Sequence, residues 1–391
     1  VTTLTAKRTP LAWKNLTHDV RRLLLAVAGV GFAVLLVFMQ LGFRGALLEG
    51  TVQLPEQFNA DLVLASKTKF AIQIPQKFSR QALFQARSVA EVESAWPLYI
   101  EMSSATWFLP HVTDHALPVR VLAFNPREPL LLLDTVRERE PELMLPDTAL
   151  FDLKSKSDYG DPKIGDFAYL NDHRVRIVGM FQLGTDFATD ATVIISDREY
   201  ANYYFPKGAA EFGLSQLDYG LIKLKPGSDV LAAKAKLQSI LPEHILVRTK
   251  PEFIAAERDF WDKSTPIGYV FGFGVVLGFV VGVIICYQVI YADVSDHMSE
   301  YATLKAMGYG TNYFFGLVMQ EAMLISGLGF VPALFLAEGL YAGLAWLTGL
   351  PLNLTVARAG IVLALAIAMC GISGMLALRK LMSADPAELF R

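Results

Sequence analysis

Apolar positions in this chain gather into a few long uninterrupted runs rather than spreading evenly along it. Leu23 to Phe43 is 21 consecutive residues without a charge, and a bilayer core about 30 Å thick needs roughly 20 helical residues to cross. The run exceeds the apolar core of a secretory signal and no small-x-small site follows it, which predicts a retained transmembrane helix at 23–43. A second charge-free stretch, Thr265 to Ala292, lies between Lys263 and Asp293 and predicts a helix at 266–292. Between Lys305 and Arg379 only Glu321, Glu338 and Arg358 carry charge, and turn chemistry divides this region. Gly349-Leu350-Pro351-Leu352-Asn353 reads as a loop, 348–358, leaving helices at 314–347, with Pro332 as a kink, and at 359–378.

Residues 44–265 have a different pattern. Short alternating or β-rich stretches, Asp61–Leu64, Val119–Ala123, Asp166–Leu170, Val175–Phe181, Thr192–Ile195 and Gly220–Leu224, are bounded by turn residues and predict strands. Ser79–Val89 has the spacing of a surface helix, and Ser228–Ile240 is an amphipathic helix opened by Ser228-Asp229 and stopped by Pro242. The predicted fold is an α-helical membrane protein with four transmembrane helices and a large α+β extracytoplasmic domain, of one or two lobes, between the first and second.

Lys and Arg near the span ends set the orientation. Lys7, Arg8, Lys14, Arg21 and Arg22 precede the first span, and Arg379, Lys380 and Arg391 follow the last, so both termini are expected in the cytoplasm. Residues 1–22 then form a cytoplasmic segment in which Trp13, Leu16, Val20 and Leu23 share a helical face, suited either to the membrane interface or to simple anchoring. Residues 293–313 are a cytoplasmic connection and 379–391 a cytoplasmic tail.

Composition agrees. Only 19% of the 391 residues are charged and 53% are hydrophobic, with 35 Lys+Arg against 38 Asp+Glu. The mean hydropathy is +0.37. A net charge of -3 offers no general cationic field, which argues against a nucleic-acid partner. Cys286 and Cys370, the two cysteines, both sit in apolar runs, so no disulfide framework staples a soluble domain.

Chemical motifs are sparse. There is no phosphate-binding Gly-x-x-x-x-Gly-Lys-Ser/Thr loop, no Gly-x-Ser-x-Gly elbow, no His-Glu-x-x-His and no Cys-x-x-Cys, so ATP hydrolysis and the commonest hydrolase chemistries lose their signatures. His111 and His115, bracketed by Pro110 and Pro118, read as loop residues rather than metal ligands, and Asp293, Asp296, His297 and Glu300 as a polar helix. No metal or cofactor is expected in the chain. Gly274, Gly278 and Gly282 recur every four residues, as do Gly268 and Gly272, allowing close helix packing either within one subunit or between two copies. Glu321, beside Gln320 inside the third span, is a costly intramembrane carboxylate and hence a candidate for a structural, conformational or proton-relay role.

The order of one span, a large external domain and three more spans resembles the permeases of the MacB, LolC/LolE and FtsX-like class of ABC systems. Ser299-Glu300-Tyr301-Ala302-Thr303-Leu304-Lys305-Ala306-Met307-Gly308 is similar to that class's Glu-x-x-x-Leu-(Arg/Lys)-Ala-x-Gly segment, and Gln320-Glu321-Ala322 to its following Glu-Ala pair. Where the wider class has Arg-Glu, this chain has Ser299-Glu300, so no ion pair at that arginine carries over. Asp293-Val294-Ser295-Asp296-His297, the Glu300–Tyr309 run, Arg379-Lys380-Leu381 with Ala384-Asp385-Pro386-Ala387, and Leu11-Ala12-Trp13 with Asn15-Leu16 resemble DevC-type permease subunits more narrowly.

The resemblance implies a non-catalytic homodimeric subunit moved by a separate cytoplasmic ABC ATPase, which binds the ATP and Mg. Glu300, Tyr301, Thr303, Leu304, Lys305, Met307 and Gly308 would form the ATPase-coupling segment. It also implies a periplasmic membrane-fusion adaptor, a TolC-like outer-membrane channel and a lipid or glycolipid cargo. The alternative within the class is an FtsX-like mechanotransducer that controls an external cell-wall hydrolase and exports nothing.

Overall fold

The computed structural model describes residues 19–110, 112–206, 213–298, 300, 303–304 and 307–382. In chain order the elements are α1 (Val20–Glu56), β1 (Leu62–Ser66), β2 (Phe78–Ser79), α2 (Gln81–Arg87), β3 (Val92–Glu101), β4 (Thr106–Phe108), β5 (Leu117–Pro118) and β6 (Arg120–Phe124). There follow α3 (Asp134–Glu138), α4 (Glu140–Leu143), β7 (Thr148–Asp152), β8 (Phe167–Leu170), β9 (His173–Phe181), β10 (Thr192–Ser196) and α5 (Asp197–Tyr204). The remainder are β11 (Gln216–Leu217), β12 (Tyr219–Leu224), α6 (Val230–Ile240), β13 (Ile245–Thr249), α7 (Lys250–Lys263), α8 (Pro266–Asp296), α9 (Thr311–Thr348) and α10 (Val356–Met382).

The chain divides into two compact units. Of the described residues, one holds those within 19–44, 269–343 and 352–382, and the other those within 45–268 and 344–351.

In the first unit, parts of the four long helices α1, α8, α9 and α10 pack around a shared apolar core. Each helix is long and apolar enough to cross a membrane. The buried seam combines Val30, Val34 and Phe38 of α1, Ile290 of α8, Leu317, Ala322 and Ile325 of α9, and Ala366 and Met369 of α10. Its helical spacing places these side chains on one face of each helix. The opposite faces are also apolar: Val270, Phe273, Leu277 and Ile284 of α8 and Phe335 and Leu336 of α9 are exposed, as expected of surfaces that meet lipid.

The second unit is built on an eleven-stranded mixed sheet, ordered β13-β1-β12-β3-β6-β10-β7-β9-β8-β4-β5. Strand β3 joins its halves: Val92 and Ser94 to Leu98 pair with β12, and Tyr99 to Glu101 pair with β6. The central strands are buried on both faces, and their side chains therefore divide with a period of two. Leu62, Leu64, Val121, Ala123, Val193 and Ile195 enter one core. Val63, Ala65, Leu122, Phe124 and Ile194 enter the other. The edge strand β13 is covered by α6, whose Gln238 side chain accepts from Val247 N–H at 3.0 Å and donates to Ile245 O at 3.0 Å, standing in for a neighbouring strand.

All six predicted strands are present within two residues of their predicted bounds, and both predicted helices are found. Asp229 caps α6, accepting from Leu231 N–H at 2.9 Å and Ala232 N–H at 3.3 Å. The helix ends differ from the hydropathy bounds. Helix α1 does not stop at 43 but continues to Glu56, because Arg44 and Glu49 interrupt the apolar run without interrupting backbone hydrogen bonding. Likewise α8 extends through Asp293 to Asp296, α9 begins at Thr311 and passes unbroken through Pro332, and α10 begins at Val356. The predicted interface residues Trp13 and Leu16, His111, and the 384–387 motif lie outside the described residues.

Candidate functional site

The polar connection between α8 and α9 is the segment on which the sequence concentrates its distinctive residues. Helix α8 ends at Asp296, and His297 folds back within the same turn, its Nδ1 lying 3.0 Å from Asp293 O. Glu300, Thr303 and Leu304 are helical. Met307 N–H donates to Thr303 O at 3.0 Å, and Tyr309 N–H reaches back five residues to Leu304 O at 3.2 Å, while Gly308 has φ +97°. This is a Schellman-type helix end, in which a residue with positive φ reverses the chain and satisfies the last carbonyls. Glycine is the residue that adopts this φ without a Cβ penalty, which explains the Ala-Met-Gly at the end of the motif.

The side chains of this short helix face two ways. Leu304 is half-buried against the apolar core of the four-helix unit, whereas Glu300, Thr303, Met307 and Gly308 are exposed, Met307 to 64%. The exposed set can meet a partner, and Leu304 holds the helix to its own unit. Tyr301 and Lys305 lie outside the described residues. The rings of Tyr309 and Tyr313 meet at a tilt, with centroids 4.7 Å apart, at the start of α9.

The structure separates the two intramembrane polar residues. Gln320 is exposed, while Glu321 is 1% exposed within the helix pack. It also places the glycine row: a Cβ at Gly274 would overlap the Gln40 side chain, one at Gly278 would lie 3.2 Å from Val37 Cγ2, and one at Gly282 would overlap Met369 Sδ. Gly274, Gly278 and Gly282 thus admit α1 and α10 of the same chain, the intrasubunit alternative. Gly272 has open space around it.

In the sheet unit the structure reveals ionic ties that periodicity does not mark. Lys69 and Asp218, both almost wholly buried, pair at 3.0 Å. Asp218 also accepts from Ile100 N–H at 2.9 Å. Burial holds the Lys69 ammonium below its usual range, and the Asp218 charge partly restores it. Arg120 pairs with Asp186 and donates to Thr192 Oγ1 at 2.9 Å. Asp152 receives Leu183 N–H at 2.9 Å and Gly184 N–H at 2.7 Å, fixing the loop after β9; burial pushes its carboxyl up and those N–H groups oppose it. On α7, Glu257 is 3% exposed and accepts from Ile72 N–H at 3.2 Å and Trp261 Nε1–H at 3.1 Å, and burial pushes its carboxyl up to about 7. The only sequence signal for these residues is a charge inside an otherwise apolar stretch, as at Leu217-Asp218-Tyr219. A nearby cleft of about 130 Å³, lined by Met102, Arg120, Phe187 and Asp190 among others, is smaller than pockets that enclose drug-sized ligands, roughly 300–1,000 Å³.

Comparison with known proteins gives one family match. Residues 272–386, from within α8 to beyond α10, match the FtsX-like permease C-terminal family. No protein of curated function is a significant match. Among solved structures, the periplasmic region of MacB from Actinobacillus actinomycetemcomitans is 9% identical, with a TM-score of 0.35 over 50% of this chain and 91% of that one. The extracellular domain of the ABC-type transporter YknZ from Gram-positive bacteria is 10% identical, with a TM-score of 0.32 over 49% and 99% respectively. Likenesses this distant do not bear on activity.

Proposed function

We infer that this multi-pass chain, an ABC-type permease of the MacB/FtsX-like class with its family domain at residues 272–386, is a non-catalytic subunit that a separate cytoplasmic ATPase sets in motion. The observation that carries the reading is the short helical connection that includes Glu300, Thr303 and Leu304 and is closed by Gly308. It lies inside the family domain between two membrane helices and presents Glu300, Thr303 and Met307 outward. The partner ATPase holds ATP and Mg, and its closure displaces this helix. Helices α8 and α9 carry the displacement across the bilayer, because a hydrogen-bonded helix moves as a rigid element. Both termini are cytoplasmic and the sheet unit is periplasmic.

In the finer reading, two copies of the chain act with a periplasmic membrane-fusion adaptor and a TolC-like outer-membrane channel to export a lipid or glycolipid, as the resemblance to DevC-type subunits implies. The membrane helices offer few polar groups to line a hydrophilic channel, which favours a cargo drawn from the membrane. The alternative keeps the same lever and attaches it to an external cell-wall hydrolase.

The test is affinity purification of the tagged chain from native membranes in mild detergent, with mass spectrometry of what accompanies it. An ATPase with an adaptor is the expected result. An ATPase with a wall hydrolase would transfer the reading to mechanotransduction, and absence of any ATPase under conditions that preserve other complexes would overturn it. Glu300→Lys should reduce ATPase recovery while leaving the chain inserted.

A further inference from the structure

The two cysteines, 84 residues apart in sequence, meet inside the four-helix unit: Cys286 Sγ of α8 lies 3.3 Å from Cys370 Sγ of α10, and neither side chain is accessible. Two further contacts place the helix backbones close together at this level. Ser373 Oγ–H, one turn beyond Cys370, lies 2.8 Å from Val283 O of α8 and 2.7 Å from Met369 O of its own helix. Gly282 lies against Met369 so closely that a Cβ there would overlap its sulfur. Both residues are free thiols. A disulfide has its sulfurs about 2.05 Å apart, so closing the gap needs a movement of little more than 1 Å.

We propose that Cys286 and Cys370 form a peroxide-responsive thiol pair whose oxidation staples α8 to α10. The reagent class is a small uncharged peroxide such as hydrogen peroxide, close to water in size, which reaches the buried pair when the helix pack opens locally. In the first step one thiol sulfur attacks the peroxide: the O–O bond breaks, an S–O bond forms, and the products are a sulfenic acid and water. In the second step the other thiol sulfur displaces that hydroxyl: the S–O bond breaks, the S–S bond forms, and the displaced oxygen leaves as a second water with the thiol proton. The sulfurs lose two electrons in total, the peroxide gains them, and a dithiol reverses the change. Proximity decides the outcome, because a sulfenic acid with a thiol in contact condenses before it meets further oxidant. Once formed, the bond fixes the separation of α8 and α10 at this level.

The experiment uses the full chain in lipid nanodiscs, treated with graded hydrogen peroxide, denatured, alkylated and analysed by peptide mass spectrometry. Sulfoxidation of the exposed Met307 gauges the dose in the same sample. Wild type is expected to lose both thiols together, to give a linked peptide pair about 2 Da lighter than the sum of the reduced peptides, and to recover both thiols with dithiothreitol. Cys286→Ser and Cys370→Ser, each close to isosteric, are expected to give no link. The proposal is overturned if both thiols remain alkylatable at doses that oxidise Met307, or if the two oxidise separately to sulfinic acid without a linked peptide.

Discussion

Replacing Gly308 tests the helix end that follows Leu304 between α8 and α9. Its φ of +97° is paired with the 3.2 Å bond from Tyr309 N–H to Leu304 O, and no atom lies within 4 Å of a Cβ built at this position. A side chain therefore meets open space, and its cost comes from the backbone alone. An L-residue with a Cβ in the left-handed region costs about 1–2 kcal/mol. Loss of glycine's extra freedom in the open chain offsets roughly 0.4–1 kcal/mol of that. A net destabilisation of about 1 kcal/mol for Gly308→Ala follows, equivalent to roughly a fivefold rise in local opening. Gly308→Asn should cost less than Ala, because asparagine tolerates positive φ, and Gly308→Val more, because a β-branched side chain does not. Hydrogen exchange of the 300–309 amides, measured on the full chain in nanodiscs, reads the opening directly. The order Asn, Ala, Val of increasing exchange is expected; equal protection in Ala and wild type, or an Asn variant as open as the Val variant, would refute the cap.

Glu257 provides a pH-dependent readout. Its folded carboxyl, pushed up to about 7, faces Asp186, which raises it, and Lys69, which lowers it. Because the folded value exceeds the unfolded one near 4.5, the stability that Glu257 contributes is fully present below pH 4.5 and falls by roughly 3 kcal/mol as pH rises through about 7. Glu257→Gln should flatten that interval and raise the melting temperature above pH 7, measured as the difference from wild type so that other carboxylates cancel. Asp218→Ala leaves the Lys69 ammonium buried without its carboxylate, which should cost about 3–5 kcal/mol in denaturant titration, while the double change Lys69→Met, Asp218→Leu recovers much of it. Gly282→Val forces a side chain into Met369 and should destabilise the helix pack by about 1–3 kcal/mol. Gly272→Val, with open space around it, should leave thermal stability in detergent unchanged.

Much of this molecule is legible as a pattern in its sequence. Twenty or so uncharged residues can satisfy their backbone in a bilayer only as a helix, so four spans follow from charge spacing and from the loop at Gly349–Asn353. Strands such as β10 are apolar at every position because both faces of the sheet are covered, and helix α6 announces itself with Asp229 at its start and Pro242 beyond its end. The Glu300–Gly308 motif was also visible, although the reason for its glycine appears only in the φ value and the Tyr309 to Leu304 bond.

Tertiary structure decided what depends on distant residues meeting. Helix α1 runs on to Glu56 past Arg44 and Glu49, because a charge ends an apolar run without ending a helix. Leu304 turns inward while Met307 turns outward, and the glycine row of α8 receives α1 and α10, choices that one helix's sequence leaves equivalent. The pairings Lys69 with Asp218, Glu257 with Ile72 and Trp261, and Cys286 with Cys370 join positions between 4 and 185 residues apart. Hydropathy and periodicity describe each residue with its near neighbours. Burial of a charge or the meeting of two thiols is a property of the packed chain, set by which helices and strands come to lie against one another.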